Sequence, residues 1–114
     1  MMELTRRAVG QVTVLDLSGR LTSNEGSGRL KEKVTSLVFE GQNQIVLNLA
    51  NLSYMDSAGL GEMVACYTTA SKGGGRVKLA NTTGRIKDLL TITKLLTVFD
   101  AYDSEAEAVE SFGA

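Results

Sequence analysis

Apolar and β-branched residues cluster in short segments that predict β-strands. Residues 12–17 are apolar and β-branched and end at a Ser-Gly pair, which is typical of a strand end. Residues 44–49 are apolar at nearly every position, as expected for a central strand that helices cover. Arg76–Ala80 alternates between polar and apolar residues, which predicts a strand with one face in water. Two shorter strands are expected at residues 4–8 and 98–102.

Segments with apolar residues three or four positions apart lie between these strands and predict helices. The first helix is expected to begin at Thr22, because Thr22 followed three residues later by Glu25 matches a capping box, and to end at Gly41. The second is expected to begin at Asp56 and to end at Gly73, since aspartate is a preferred cap and glycine a common stop.

Two further helices complete the pattern. One is expected at residues 84–90, and the other begins at a second capping box formed by Ser104 and Glu107. The order is then β-β-α-β-α-β-α-β-α, and its alternation of strands and helices implies right-handed crossovers. We therefore predict a single α/β domain over residues 1–114. It has a four- or five-stranded mixed sheet, mostly parallel, with helices packed mainly against one face.

Three loops follow the carboxyl ends of the predicted parallel strands. They contain Thr22, the pair Asp56 and Ser57, and Asn81. The carboxyl ends of parallel strands meet at one edge of a sheet, and α/β folds place their binding sites at that edge. We therefore expect the three loops to converge on one surface.

Composition and charge narrow the classes of function. The chain has 114 residues, 43% of them hydrophobic, and a net charge of −1, so nothing in it favours binding to nucleic acid or to a membrane surface. The first residues lack the apolar run of a signal peptide, and the longest uncharged stretch is short for a membrane span. Cys66 is the only cysteine, which fits a reducing compartment. We expect a cytoplasmic protein.

The chain contains no histidine, which removes the commonest general base and the commonest metal ligand. With a single cysteine besides, we expect no metal site and no cofactor. An enzyme that used Ser57 as a nucleophile would need a base within hydrogen-bond reach, and only a lysine or a carboxylate could serve. Nothing in the sequence points to such a base, so an enzymatic role is the weakest alternative.

The segment 56–61 reads Asp-Ser-Ala-Gly-Leu-Gly. Aspartate and serine suit a helix start, so simple capping is one interpretation. However, Ala58, Gly59 and Gly61 leave the first turn without bulk, although each helical glycine costs about 1 kcal/mol relative to alanine. The presence of two glycines in spite of this cost predicts that either the sheet beneath or a partner protein approaches this backbone closely. The hydroxyl of Ser57 then stands at the positive end of a helix.

This motif, after an apolar strand, resembles the signature of STAS domains, and more closely that of the stand-alone anti-sigma factor antagonists of bacteria. The resemblance runs over nearly the whole chain. It includes the turn Gly19-Arg20-Leu21 before the first helix and the ending Asp103-Ser104-Glu105-Ala106-Glu107-Ala108.

The resemblance implies a regulatory binding protein rather than an enzyme. In that family an anti-sigma factor, which is a serine kinase, phosphorylates the serine that matches Ser57. The unphosphorylated antagonist binds this kinase and frees a sigma factor, and a PP2C-type phosphatase restores it. The residues then expected to contact the kinase are Gly19, Thr22, Ser23, Asn24, Asp56, Ser57, Ala58, Gly59, Leu60, Gly61 and Asn81.

The chain departs from the family pattern at two positions. Thr22 stands where many members have an aspartate, and Ala58 stands where many have a second serine. The first difference bears on the choice of partner. Two alternative functions keep the same fold: a STAS subunit of a lipid ABC transporter, or a scaffold in a stress-signalling assembly. The partner discriminates among them, because it is either a small soluble kinase or a transporter ATPase.

Overall fold

A computed structural model describes residues 2–26, 28–82, 84–95 and 98–113, except for the side chain of Arg85. Its elements follow the predicted order. They are β1 (Glu3–Val9), β2 (Val12–Leu21), α1 (Arg29–Phe39), β3 (Gln44–Met55), α2 (Ser57–Lys72), β4 (Arg76–Ala80), α3 (Gly84–Ile92), β5 (Asp100–Tyr102) and α4 (Glu105–Glu110).

One sheet contains the five strands in the spatial order β1-β2-β3-β4-β5. β1 runs antiparallel to β2, and a tight turn at Gly10, which has a φ of 61°, joins the two. The other neighbours are parallel, and a helix lies between each such pair along the chain, as parallel strands need a long crossover. The predicted mixed, mostly parallel sheet is confirmed.

Alternation along the central strands sends side chains to opposite faces of the sheet. Leu15 and Leu47 belong to a large core with the buried residues of α1, α2 and α3. Val14 and Val46 belong to a smaller cluster that Ala108 of α4 completes on the other face. Three helices therefore pack on one face and one on the other, which agrees with the predicted bias.

The predicted helix caps are confirmed at three sites. Gly41 follows α1 and has a φ of 87°, a backbone angle that glycine adopts without strain. The carboxylate of Asp56 accepts the N–H of Gly59 at 2.9 Å and so caps α2. The hydroxyl of Ser104 accepts the N–H of Glu107 at 3.1 Å and caps α4 in the same way.

The prediction that the first helix begins at Thr22 is wrong. The hydroxyl of Thr22 does accept the N–H groups of Asn24 and Glu25, at 3.2 and 3.1 Å, but these bonds close an isolated turn. Gly26 and Gly28 follow with φ values of 79° and 82°, which a helix cannot accommodate. As a result α1 begins only after Gly28.

The prediction that β4 has one face in water is also wrong, because α4 covers that face. Lys78 is only 7% exposed. Its Nζ donates to the carbonyl oxygen and the hydroxyl of Ser111, at 3.1 and 2.8 Å, and lies 4.3 Å from the ring centroid of Phe112. A lysine can thus alternate with apolar residues in sequence and still be covered, since its stem is apolar and its ammonium finds partners.

The strands β2 and β3 run past their predicted ends and form an extension of the sheet. The last pair between β3 and β4 is Asn48 with Ala80, whereas β2 and β3 remain paired up to Leu21 and Met55. We call the part of β2 and β3 beyond the Asn48–Ala80 pair the projecting ribbon. It carries the start of α2 away from the ends of the other strands.

Candidate functional site

The helix α2 starts at the tip of the projecting ribbon. Met55 ends β3, and the next residue, Asp56, is still extended, with φ −98° and ψ −174°. Its backbone N–H donates to the carbonyl oxygen of Leu21 at 3.3 Å, which fixes the helix start against the end of β2. Ser57 is therefore the first helical residue, as the motif predicts.

The carboxylate of Asp56 joins two segments of the chain. One oxygen accepts the N–H of Gly59, and the other accepts the N–H of Ser23 at 3.3 Å. These hydrogen bonds, that from Gly59 above all, hold the pKa of Asp56 below its usual range. Asp56 thus remains an anion near neutral pH, but both of its oxygens are already engaged as acceptors.

Ser57 is exposed at the N-terminus of α2. Among the residues that the structure describes, no hydrogen bond involves its hydroxyl. Ala58 beside it and Gly61 one turn later are exposed as well. The first turn of α2 contains no acidic residue, so the positive end of the helix is met only by the cap itself. This arrangement suits an added anion such as a phosphoryl group.

The two glycines of the first turn have different reasons to be there. A Cβ at Gly59 would lie 2.2 Å from the carbonyl oxygen of Leu21, so the close approach of α2 to the sheet requires glycine. A Cβ at Gly61 would meet nothing within 4 Å. The sheet therefore explains Gly59, while contact with a partner stays a prediction for Gly61. Leu60 is buried, so it and Gly59 face the core and lie behind the outer surface.

The segment between β2 and α1 lies next to this helix start. We call its described residues, 22–26 and 28, the entry loop. Thr22 is 7% exposed and its hydroxyl holds the turn, whereas Ser23 and Asn24 are exposed. The hydrogen bond from the backbone N–H of Ser23 to the carboxylate of Asp56 places Ser23 next to the residue that precedes Ser57. The side chain of Thr22 is thus buried and stabilises the turn.

Gly19 lies in the projecting ribbon rather than on the entry loop. It has a φ of 87°, and its carbonyl oxygen accepts the hydroxyl of Ser53 at 2.8 Å. The positive φ explains the glycine, and the hydrogen bond ties β2 to β3 close to the helix start. A contact between Gly19 and a partner stays a prediction.

Asn81 does not join the other predicted residues. Its amide donates to the side-chain oxygen of Asn48 at 2.7 Å, at the level where β4 ends. From Asp16, which pairs with Asn48, to Leu21 the strand β2 continues for roughly 17 Å at 3.3 Å per residue. The expected convergence of three loops is therefore wrong for this loop. The role of Asn81 in partner binding stays a prediction.

One contact at the site has no local sequence signal. Glu62, in the second turn of α2, accepts the N–H of Gly28 at 2.6 Å and the N–H of Lys31 at 3.1 Å. These two groups belong to the start of α1, where Gly28 offers no side chain of its own as a cap. A carboxylate from α2 therefore caps α1 across more than thirty positions of sequence.

The site now has the features of one family. A protein-family profile described as the STAS domain matches residues 3–108. The chain belongs to the STAS domain family. The family match covers the sheet, the helix start at Ser57 and the entry loop, so the STAS resemblance of the sequence is confirmed.

Similar proteins extend this result. The anti-sigma F factor antagonist of Paenibacillus polymyxa is 29% identical to this STAS domain over 99 residues, 86% of this chain and 84% of that protein. The crystal structure of a candidate anti-sigma factor antagonist from Thermotoga maritima matches with a TM-score of 0.87 at 27% identity, over 95% of this chain and 92% of that one. The Bacillus cell fate determinant SpoIIAA in its phosphorylated form matches with a TM-score of 0.74 at 22% identity, over 96% and 99%. This last likeness concerns the fold alone.

Metal binding, the cysteine thiol and membrane-spanning helices are the other features on which the sequence of this STAS domain gives expectations. Within the described residues no group of three or more His, Cys, Asp or Glu side chains could hold a metal ion. Cys66 is buried, and burial raises the pKa of its thiol to about 12, which makes it a poor nucleophile. Across the same described ranges, no helix has the length and apolar character to cross a membrane.

Proposed function

We propose that this STAS domain is an anti-sigma factor antagonist that acts by binding rather than by catalysis. Its unphosphorylated form binds an anti-sigma serine kinase and so frees a sigma factor, and phosphorylation of Ser57 switches the binding off. The observation that carries this proposal is the exposed hydroxyl of Ser57 at the open N-terminus of α2. The similarity to the Paenibacillus antagonist over most of both chains supports it.

The switch rests on electrostatics at the first turn of α2. A phosphate would add a charge of about −1.5 to −2 at neutral pH. The domain itself should tolerate this charge, because the phosphate would lie at an exposed position at the positive end of the helix dipole. A partner shaped around a neutral hydroxyl would instead have to bury an unpaired dianion, which costs several kcal/mol. The neighbouring carboxylate of Asp56, which remains ionised, adds repulsion.

A role for Ser57 as a catalytic nucleophile has little support in the site. The nearest carboxylate along the chain, that of Asp56, accepts backbone N–H groups with both oxygens, and its pKa is lowered by the bond from Gly59. A carboxylate so stabilised is a weak general base. We therefore place the function in the complex that the surface forms, in the cytoplasm, with a PP2C-type phosphatase to reverse the phosphorylation.

Incubation with ATP tests the proposal directly. The purified protein is mixed with each candidate anti-sigma kinase, and the modified peptide is identified by mass spectrometry. We expect one phosphate, on Ser57, and none on Ser71, an exposed serine near the other end of the same helix. Phosphate on Ser71, or none with any kinase that binds the protein, would contradict the proposed switch. A transporter ATPase recovered as the partner would favour the transporter alternative.

A further inference from the structure

The start of α1 depends on a residue of another helix. The first N–H groups of a helix have no partners within it, and a side chain at the cap normally accepts one of them. At α1 the cap position is Gly28, with a φ of 82° and no side chain. The carboxylate of Glu62 takes its place, because its two oxygens accept the N–H groups of Gly28 and Lys31. Its negative charge also suits the positive end of the α1 dipole.

The entry loop is tied to α2 at both of its ends. At its beginning the carboxylate of Asp56 accepts the N–H of Ser23, and at its end the carboxylate of Glu62 accepts the N–H of Gly28. Both carboxylates belong to the start of the helix that carries Ser57. These two anchors tie both ends of the entry loop to α2, while an ion pair between Arg20 and Glu25 ties the loop to β2.

The entry loop contains glycines, whose backbone conformation is restricted only when the loop is held in place. Gly26 and Gly28 both have positive φ values, and glycine has more backbone conformations available in the free chain than any other residue. Within the residues that the structure describes, the N–H groups of Gly28 and Lys31 have no acceptor other than Glu62. Without that acceptor, the beginning of the loop would keep its bonds to Asp56 and Thr22, but its end at Gly28 would no longer be held against α2.

We propose that Glu62 is a positioning residue for partner recognition, which makes the entry loop and Ser57 one preformed surface. The proposal rests on the function proposed above. Glu62 acts through Gly28 and Lys31 and needs no contact with the partner itself. Its effect is on affinity, because a preformed surface loses less entropy on binding than one that must be ordered.

The experiment compares Glu62→Ala with Glu32→Ala. Glu32 is exposed and lies in the first turn of α1, so both changes remove one negative charge near the same helix end. Only Glu62 accepts the loop N–H groups. The readouts are amide hydrogen exchange at Gly28 and Lys31, thermal melting, and calorimetric affinity for the purified anti-sigma kinase that phosphorylates the wild-type protein.

For Glu62→Ala we expect exchange at both amides to accelerate at least tenfold and affinity to fall about tenfold, which equals about 1.4 kcal/mol. Glu32→Ala should change the exchange rates and the affinity by less than about twofold each, since the charge it removes makes no hydrogen bond to the loop. Both variants should remain folded at the temperature of the binding measurement. Glu62→Gln keeps one carbonyl oxygen as an acceptor, so its affinity should lie between that of Glu62→Ala and that of the wild type.

Each other result overturns a definite part of the proposal. Unchanged exchange at Gly28 and Lys31 would show that Glu62 does not hold the loop. Faster exchange with unchanged affinity would show that the held loop is not part of recognition. Equal loss of affinity in both alanine variants would assign the effect to charge alone. If the wild-type protein binds no anti-sigma kinase, the proposed function fails, and the exchange rates still decide whether Glu62 positions the loop.

Discussion

The helices α2 and α4 begin with the same kind of cap. At α2 the carboxylate of Asp56 accepts the N–H of Gly59, and at α4 the hydroxyl of Ser104 accepts the N–H of Glu107. In both cases the cap residue is extended and bonds to the third residue of the helix. Cap geometry alone therefore does not distinguish a structural helix start from one that we propose to be regulatory.

The first turns that follow these caps differ. The first turn of α4 contains two glutamates, and one of them, Glu105, forms an ion pair with Arg7 of β1. The first turn of α2 has no acidic residue and exposes Ser57 and Ala58. The first turn of α4 thus adds two negative charges at its positive end, whereas at α2 only the capping carboxylate of Asp56 lies there and the residues after it stay exposed. The difference teaches that the residues after the cap, rather than the cap, identify a candidate switch.

The largest expected effect comes from adding charge at the open helix start. Ser57→Asp should weaken binding to the anti-sigma kinase more than a hundredfold, about 3 kcal/mol, while its melting temperature stays near that of the wild type. Ser57→Ala should bind persistently. Ser71→Asp places the same charge near the other end of α2 and should leave affinity within about twofold. Calorimetric titrations and melting curves measure both quantities. An aspartate at position 57 that binds as tightly as serine would contradict the electrostatic switch.

A second effect, on stability, distinguishes the glycine of the first turn of α2 that faces the sheet from the one that faces solvent. Gly59→Ala places a Cβ where the carbonyl oxygen of Leu21 stands, so the free energy of unfolding should fall by about 3 kcal/mol. Gly61→Ala meets open space and should raise stability by up to about 1 kcal/mol, because alanine favours helix. Urea denaturation of the two variants checks the pair. Equal destabilisation would mean that Gly61 also serves the fold.

A smaller effect tests whether a partner approaches Gly61. Gly61→Leu should weaken kinase binding about tenfold, about 1.4 kcal/mol, without loss of thermal stability. Thr68→Leu is the control, because Thr68 is exposed farther along α2, and this change should leave the affinity unchanged. If Gly61→Leu lowers stability and leaves affinity intact, the glycine belongs to packing and the outer surface is not an interface.

The smallest effect distinguishes the two caps by pH. The folded-state pKa of Asp56 is lowered, so its contribution to stability is present above the ordinary carboxylate value of about 3.9 and is lost as pH falls through the folded pKa. The hydroxyl of Ser104 does not ionise in this range. We expect the protection of the Gly59 amide, measured as its exchange rate relative to that of an unfolded chain at the same pH, to fall only below about pH 3.9 as the carboxylate protonates, while the Ser104 bond persists. Simultaneous loss of both caps would indicate global unfolding instead.

Local signals in the sequence predict much of the fold and the centre of the site. Strand runs, glycine stops and the caps at Asp56 and Ser104 act between residues close in sequence, so their order and ends follow from pattern. Thr22 shows the limit of such reasoning. Its capping motif is real, but the same hydrogen bonds can close a turn, and two later glycines decide between turn and helix.

Features that depend on distant segments could not be predicted in this way. The capping of α1 by Glu62 joins two helices, and no spacing in the sequence records it. The place of Asn81 depends on how far β4 extends relative to β2 and β3, which is a property of the register of the whole sheet. The sequence pattern predicts that Lys78 is exposed to water, and only the position of α4 shows that it is covered.

The projecting ribbon also leaves part of a strand edge without a paired strand among the residues that the structure describes. Beyond Asn48 the strand β3 has no paired strand on its β4 side within the described residues, and such an edge can recruit strands from other molecules. Two register shifts, between Asp16 and Ser18 and between Gly19 and Arg20, interrupt the regular ladder along this stretch. Bulges of this kind increase local twist and make an edge a poor template for aggregation. The edge beside the proposed partner surface is therefore a poor place for a second copy of this sheet to add a strand.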